Sequence, residues 1–295
     1  MTVRLALALS LSALVALGVR SSAAEDAPRV LAFRALALDV DAPASADAAK
    51  AAAAVVVKRC KHAGFDGVTV EAKDGAVEVR VPAIHAASEA DIRRLAEKRA
   101  AIEFRVRAKT AVEEEWRDRR LQAGTAPPPG LVWCEPVEGA VKVLVEAPEQ
   151  TAAAKLDEAK KKDPADPAAV KAAQDEVARV ARESVFTNAD VAASSVNRTM
   201  RSWGAQRFLH KGVRFEMKED RRDAFEQFTG WKVGRDLCVV VDGKVRFCAP
   251  IPAAMPGSGE LHGPGTGYTE EEARDLAAWL EAGPLPCRLV PRENR

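Results

Sequence analysis

The chain has 295 residues, a formal net charge of +1, and is 47% hydrophobic but only 5% aromatic. That apolar share supports a sizeable core, in one large domain or two modest ones. Lys plus Arg (44) nearly balance Asp plus Glu (43), and no basic stripe interleaves with aromatics, which argues against nucleic acid as a partner.

The N-terminus reads as a targeting segment. Arg4 supplies a positive charge, and Leu5 to Val19 form an apolar run of signal-peptide length, short for a bilayer span. Ser22-Ala23-Ala24 puts small residues where a signal peptidase reads, so residues 1–24 are expected to be a leader cleaved after Ala24. An uncleaved N-terminal anchor is the alternative. No later stretch approaches the roughly 20 apolar residues a membrane helix needs, so the mature chain is expected to be exported, without a membrane span.

Val30 to Leu38 is apolar and strand-length. Ala46 to Ala63 is alanine-rich and helical and stops at Gly64. A short strand, Gly67 to Glu71, meets the Asp74-Gly75 turn, and Val77, Val79 and Val81 then alternate with Glu78 and Arg80. Ser88 to Asp91 predicts a capping box before a helix carrying Ile92, Leu95 and Ala96. Ile102, Phe104 and Val106 alternate with Glu103, Arg105 and Arg107. The order βαββαβ is the split-βαβ, ferredoxin-like unit.

Beyond it, Leu131 to Cys134 and Ala140 to Glu146 suit a hairpin. The Ala/Lys/Glu-rich stretch Thr151 to Glu183, broken by "DPADP", reads as surface helices. Val213, Phe215 and Met217 then alternate with charged residues, and Arg221 to Phe228 turns Phe225 and Phe228 inward. Leu237 to Val241 and Lys244 to Cys248 flank an Asp242-Gly243 turn. After a Pro/Gly-rich excursion from Pro250 to Gly267, Thr269 and Glu272 form a capping box. Gly283 and Pro284 end that helix. Arg288-Leu289-Val290 supplies the strand that completes a second βαββαβ order. The expected fold is α+β: two ferredoxin-like, two-layer subdomains joined by a charged helical linker.

Little of this carries chemistry. His62, His85, His210 and His262 fall on different elements and read as surface or boundary residues, so no metal site is expected. "GSGELHG" lacks the GxGxxG spacing and reads as a loop, and there is no G-x-S-x-G elbow. No catalytic or cofactor-binding constellation emerges, and no enzymatic activity or cofactor is expected. Five cysteines follow the leader, an odd number for an oxidising compartment. With a two-residue turn, Cys238 faces Phe247 and Cys248 points to the opposite sheet face. That register forbids a Cys238–Cys248 bridge unless the hairpin is bulged.

"VGRDLCVVVDGKVRFCAPI" followed by "GYTEEEARDLAAWLEAGPLP" resembles the periplasmic head region of the SecD family of protein-export membrane proteins. "VVVKRCKHAGFDGVTVEAKDGAVEVRVPAI" and "RAAIEFRVRA" are similar to the base region of that family, and "VFTNADVAASSVN" to its lead into the head. The resemblance implies a base over residues 28–150, a helical linker over 151–184 and a head over 185–295. It marks Gly234, Asp242, Gly243, Pro250, Thr269, Gly283 and Pro286 as positions that serve the fold rather than chemistry. It further implies a periplasmic or other extracytoplasmic location, with polypeptide or protein partners in the envelope, the Sec translocon among them. Open edge strands would accept an extended chain. In that family further membrane helices follow the Leu-Pro, whereas here Cys287 to Val290 is expected to complete the second sheet. The alternative is a structural or ligand-binding envelope protein of the same descent with no role in export.

Overall fold

The computed structural model describes residues 28–109, 112–114, 127, 130–136, 142–161, 167–203, 206–263 and 267–292. The leader and its cleavage point after Ala24, most of "AVEEEWRDRRLQ" and most of "DPADP" lie outside the described residues.

Strand β1 (Arg29–Leu36) buries Leu31, Phe33 and Ala35 on alternate positions. Helix α1 (Ala46–His62) is capped by Ser45, whose hydroxyl accepts from the Ala48 amide, and buries Ala49, Ala52, Ala53, Val56, Arg59 and Cys60 along one stripe. β2 (Thr69–Lys73) and β3 (Ala76–Val81) form a hairpin whose turn residues Asp74 and Gly75 both take positive φ, at 51° and 70°. α2 (Glu89–Glu97) is entered from a 3-10 turn, Ala83–Ser88. The expected capping box is therefore not formed: Ser88 sits at φ −101°, ψ 16°, outside the extended region a cap needs, and its hydroxyl makes no capping bond.

Next come β4 (Ile102–Val106), the hairpin β5 (Leu131–Pro136) and β6 (Val143–Glu146), and helices α3 (Pro148–Lys161) and α4 (Pro167–Ser184). β7 (Phe186–Thr187) leads through a capped 3-10 turn into β8 (Val191–Trp203) and β9 (Gln206–Met217). α5 (Glu219–Gly230), β10 (Asp236–Val241), β11 (Lys244–Pro250) and β12 (Ser258–His262) follow. β12 lies inside the stretch expected to be loop. α6 (Glu270–Ala282) carries the predicted Thr269–Glu272 capping box, and β13 (Arg288–Pro291) closes the described chain.

The α+β class holds, but the strands are not shared out as two self-contained βαββαβ units. One sheet has the order β13-β1-β3-β2, a second β6-β5-β11-β10-β4-β7, and a third β12-β9-β8. β13 does not complete a sheet in the C-terminal half. It pairs antiparallel with β1, Leu289 opposite Ala35, in the place where β4 was expected. β4 instead lies between β10 and β7, with Phe104 opposite Val239 and Phe186.

The cause of this exchange is local. Ala100 holds φ 56°, a left-handed conformation uncommon for a residue with a Cβ, and bends the chain as it leaves α2. The Asp242 carboxylate accepts from the amides of Ala100 (3.3 Å) and Ala101 (2.8 Å), which fastens the bend to the β10–β11 turn. β4 then places Phe104 among Phe186, Phe215 and Phe225, with ring centroids 5.0–6.1 Å apart. One continuous apolar core runs from β1, α1 and α2 through β4 to β9, α5 and α6.

Candidate functional site

Two regions stand out: a buried polar junction that fixes the geometry, and an exposed ribbon that the junction helps position. At the junction Arg59 is 0% exposed. One terminal nitrogen donates to the carbonyls of Leu95 (2.9 Å) and Lys98 (2.5 Å); the other donates to Arg99 and Gly283 (both 2.8 Å). Burial pulls its pKa down to about 10, opposed by the nearby Asp242 and Asp275 charges, so the guanidinium stays charged near pH 7. Asn188 adds bonds to the carbonyls of Ala100 (2.8 Å) and Trp279 (3.0 Å). These side chains tie the end of α2, the end of α6 and the β10–β11 turn into one corner.

The seven positions marked by the resemblance stand at turns and element ends. Asp242 and Gly243 (φ 51° and 77°) form the hairpin turn, Gly234 (φ 80°) bonds the Ile251 carbonyl, and Pro250 lies opposite Asp236. Thr269 caps α6, Gly283 (φ 82°) ends it, and Pro286 sits in the bend before β13. Asp242 and Gly283 meet at the 98–101 corner; the others do not converge on a common cleft. Asp242 does more than shape a turn, since it also pairs with Lys98 Nζ at 3.1 Å.

The ribbon is the outer part of the β8–β9 pair. Near its base Val191, Val213, Phe215 and Met217 enter the core. Past Asn197, opposite Gly212, most side chains are exposed. Met200 and Leu209 face each other directly across the strands and are 63% and 47% exposed. Arg198, Lys211 and Arg207 lie beside them on the same face, by the two-residue alternation of a strand. Arg198 and Lys211 reach Glu270 at the start of α6.

β8 is an edge strand, and its outer backbone row carries free donors and acceptors along the ribbon. Between Asn197 and Gly212 the sequence has no Asp or Glu. The edge at β2 differs: it is five residues long and bears Glu71 and Lys73, charges of the kind that blunt an edge. Sequence reading missed the ribbon because Ala192 to Ser202 is largely polar and shows no alternation. Only the rarity of Gly, Pro and acidic residues there hints at a strand.

The hairpin of β10 and β11 overturns the expectation for the cysteines. Val241 pairs with Lys244 and Val240 with Val245, but Val239 pairs with Phe247, leaving Arg246 as an extra bulge residue. The register shift brings Cys238 opposite Cys248, Cα atoms 4.0 Å apart, and the two form a disulfide. Cys60, Cys134 and Cys287 are buried free thiols, and burial pushes Cys60 up to about 12, which makes it inert as a nucleophile near pH 7.

The histidines are less scattered than their sequence positions suggest. His62 pairs with Glu281 (3.1 Å), and His85 contacts the Asp66 carbonyl (3.0 Å). His210 and His262, however, come together on adjacent strands with ring centroids 5.0 Å apart. Cross-strand pairing, invisible without the register of β9 and β12, makes that meeting. No helix of the described residues is long and apolar enough to cross a membrane.

Comparison with known proteins places this arrangement. Residues 167–287 match the family model for the SecDF P1 head subdomain. The protein translocase subunit SecD of Koribacter versatilis is 35% identical over 116 residues, which is 39% of this chain and 20% of that protein. SecD of Magnetococcus marinus is 40% identical over 83 residues, 28% of this chain and 15% of that protein. The matches thus span about a fifth or less of these relatives. Among solved structures, one of SecDF, described as a membrane component that enhances protein export, covers 90% of this chain and 99% of its own, with a TM-score of 0.53 and 20% identity. SecDF in its super-membrane-facing form gives a TM-score of 0.53 over 91% of this chain at 18% identity, a likeness of fold. Residues 167–287 are thus similar to the SecDF P1 head subdomain, and the chain as a whole is similar in fold to SecDF.

Proposed function

We propose that this chain acts outside the cytoplasm as a non-enzymatic binder of extended polypeptide, auxiliary to protein export and working beside the Sec translocon. On this reading residues 28–150 form the base, 151–184 a charged helical linker and 185–295 the head, and residues 1–24 direct export and are cleaved after Ala24. The observation that carries the proposal is the open β8 edge on the ribbon. An extended chain adding to that edge gains main-chain hydrogen bonds, which are indifferent to its sequence. The exposed Met200–Leu209 pair adds apolar contact, with Met suited to varied side chains. The flanking Arg198, Arg207 and Lys211 leave the surface basic, so segments with apolar or acidic character are favoured. Kinship of the head to a component of the export machinery supports the same reading.

The test is capture from the native envelope. Mature tagged chain, purified from its own envelope fraction, is expected to bring down exported polypeptides or a translocon component above a control. Capture of neither would refute the proposal.

A further inference from the structure

We propose that His210, Glu260 and His262 form a binding site for a divalent cation of the zinc class. The three side chains come from β9 and β12 and share one sheet face, because Glu260 and His262 alternate along β12 while His210 lies two residues from Gly212, the partner of His262. Their ligand atoms all lie within 4.8 Å of one another. Donors bound to one tetrahedral zinc at about 2.1 Å stand roughly 3.4 Å apart, so small side-chain rotations close the set. Two neutral imidazoles and one carboxylate suit zinc, and three protein donors leave one position for water or another ligand.

Two further observations point to a ligand. His210 is 2% exposed, yet its Nδ1 has no hydrogen-bond partner, and neither has the buried Glu260 Oε1. A buried polar atom left unsatisfied is destabilising, and one cation would satisfy both. Gly212 keeps the space clear: a Cβ there would stand 2.6 Å from Glu260 Oε1 and 3.2 Å from His262 Nδ1. Its φ is not positive, so the missing side chain serves the space rather than the backbone.

Arg201 is the built-in competitor. Its guanidinium lies 3.5 Å from Nδ1 and 3.3 Å from Nε2 of His262, close enough to oppose a dication. The side chain sits on the exposed ribbon and can swing away. A fortuitous pair of surface histidines would have no such dependence on Arg201 and Gly212.

The experiment titrates the tag-free mature chain with Zn²⁺ alone, read by calorimetry and by thermal unfolding, with Mg²⁺ as an oxygen-preferring control. The expected result is one zinc per chain with a raised unfolding temperature, and no effect of Mg²⁺. His262→Ala and the near-isosteric Glu260→Gln should each lose roughly tenfold or more in affinity, a scale at which even outer-shell partners of metal sites act. Gly212→Ala should weaken binding with all three ligands present, and Arg201→Gln should tighten it several-fold. Metal-free unfolding of each variant checks that it folds. No saturable zinc binding by the wild type would overturn the proposal, and so would binding unchanged in both His262→Ala and Glu260→Gln.

Discussion

The buried junction and the exposed ribbon treat backbone polar groups in opposite ways. At the junction four carbonyls from two helix ends converge on one fully buried guanidinium, and a turn carboxylate takes two amides. Along the outer part of β8, past Asn197, the strand forms a sheet edge with no neighbouring strand. A group that is satisfied and buried holds geometry; one that is exposed and unpaired can bind. The difference teaches that the rigid part of this molecule is a single interlocked unit, with β4 and β13 exchanged between its halves, and that binding is delegated to its periphery.

The comparison breaks most readily at β13. Removing residues from Cys287 onward strips buried Cys287 and Leu289 from the core and leaves β1 unpaired on one side. The loss should exceed about 4 kcal/mol by urea unfolding, and hydrogen exchange should accelerate in β1 rather than in β10 or β11. Arg59→Ala should cost about 3–4 kcal/mol, since it removes one charged donor from four carbonyls, that of Leu95 in a buried bond; a change under about 1 kcal/mol in the same assay would show that the junction is not what holds the corner. Removing the Cys238–Cys248 bridge by paired alanines should cost about 2–3 kcal/mol through the entropy of the unfolded chain.

Smaller effects sharpen the contrast. His210 and His262 both titrate below their ordinary value of 6.5, chiefly through burial and also through Arg201, against the pull of Glu260. Their contribution is therefore fully present above 6.5 and is lost as pH falls through the lower folded values, where the unfolded chain binds more protons. Metal-free protein should lose stability as pH drops below about 6.5, and His262→Gln should flatten that slope. Smallest of all, Met200→Ser with Leu209→Ser should shift unfolding by no more than about 0.5 kcal/mol. The same pair should weaken binding of unfolded polypeptide, measured by fluorescence anisotropy, while the backbone edge of β8 remains.

Much of the fold was legible because burial writes itself into periodicity. Val77, Val79 and Val81, the Phe104 strand, the α6 cap and Gly283 all fell where alternation and capping chemistry placed them. What could not be read was long-range choice. β4 and β13 are both short strands with apolar residues, so nothing local says which one lies beside β1; Ala100 and Asp242 fasten β4 elsewhere. The single bulge residue Arg246 reversed the reading of Cys238 and Cys248. The ribbon and the histidine cluster were hidden because neither depends on an apolar pattern, only on the pairing of β8, β9 and β12.

The most direct test of polypeptide docking on the ribbon is site-specific photocrosslinking in the intact envelope. A photoreactive residue at position 200 is compared with one at Lys73 on the β2 edge, while a secreted chain is held in transit. The account predicts adducts with the translocating chain from position 200 and background from position 73. Equal background at both positions, with the protein folded and exported, would contradict it.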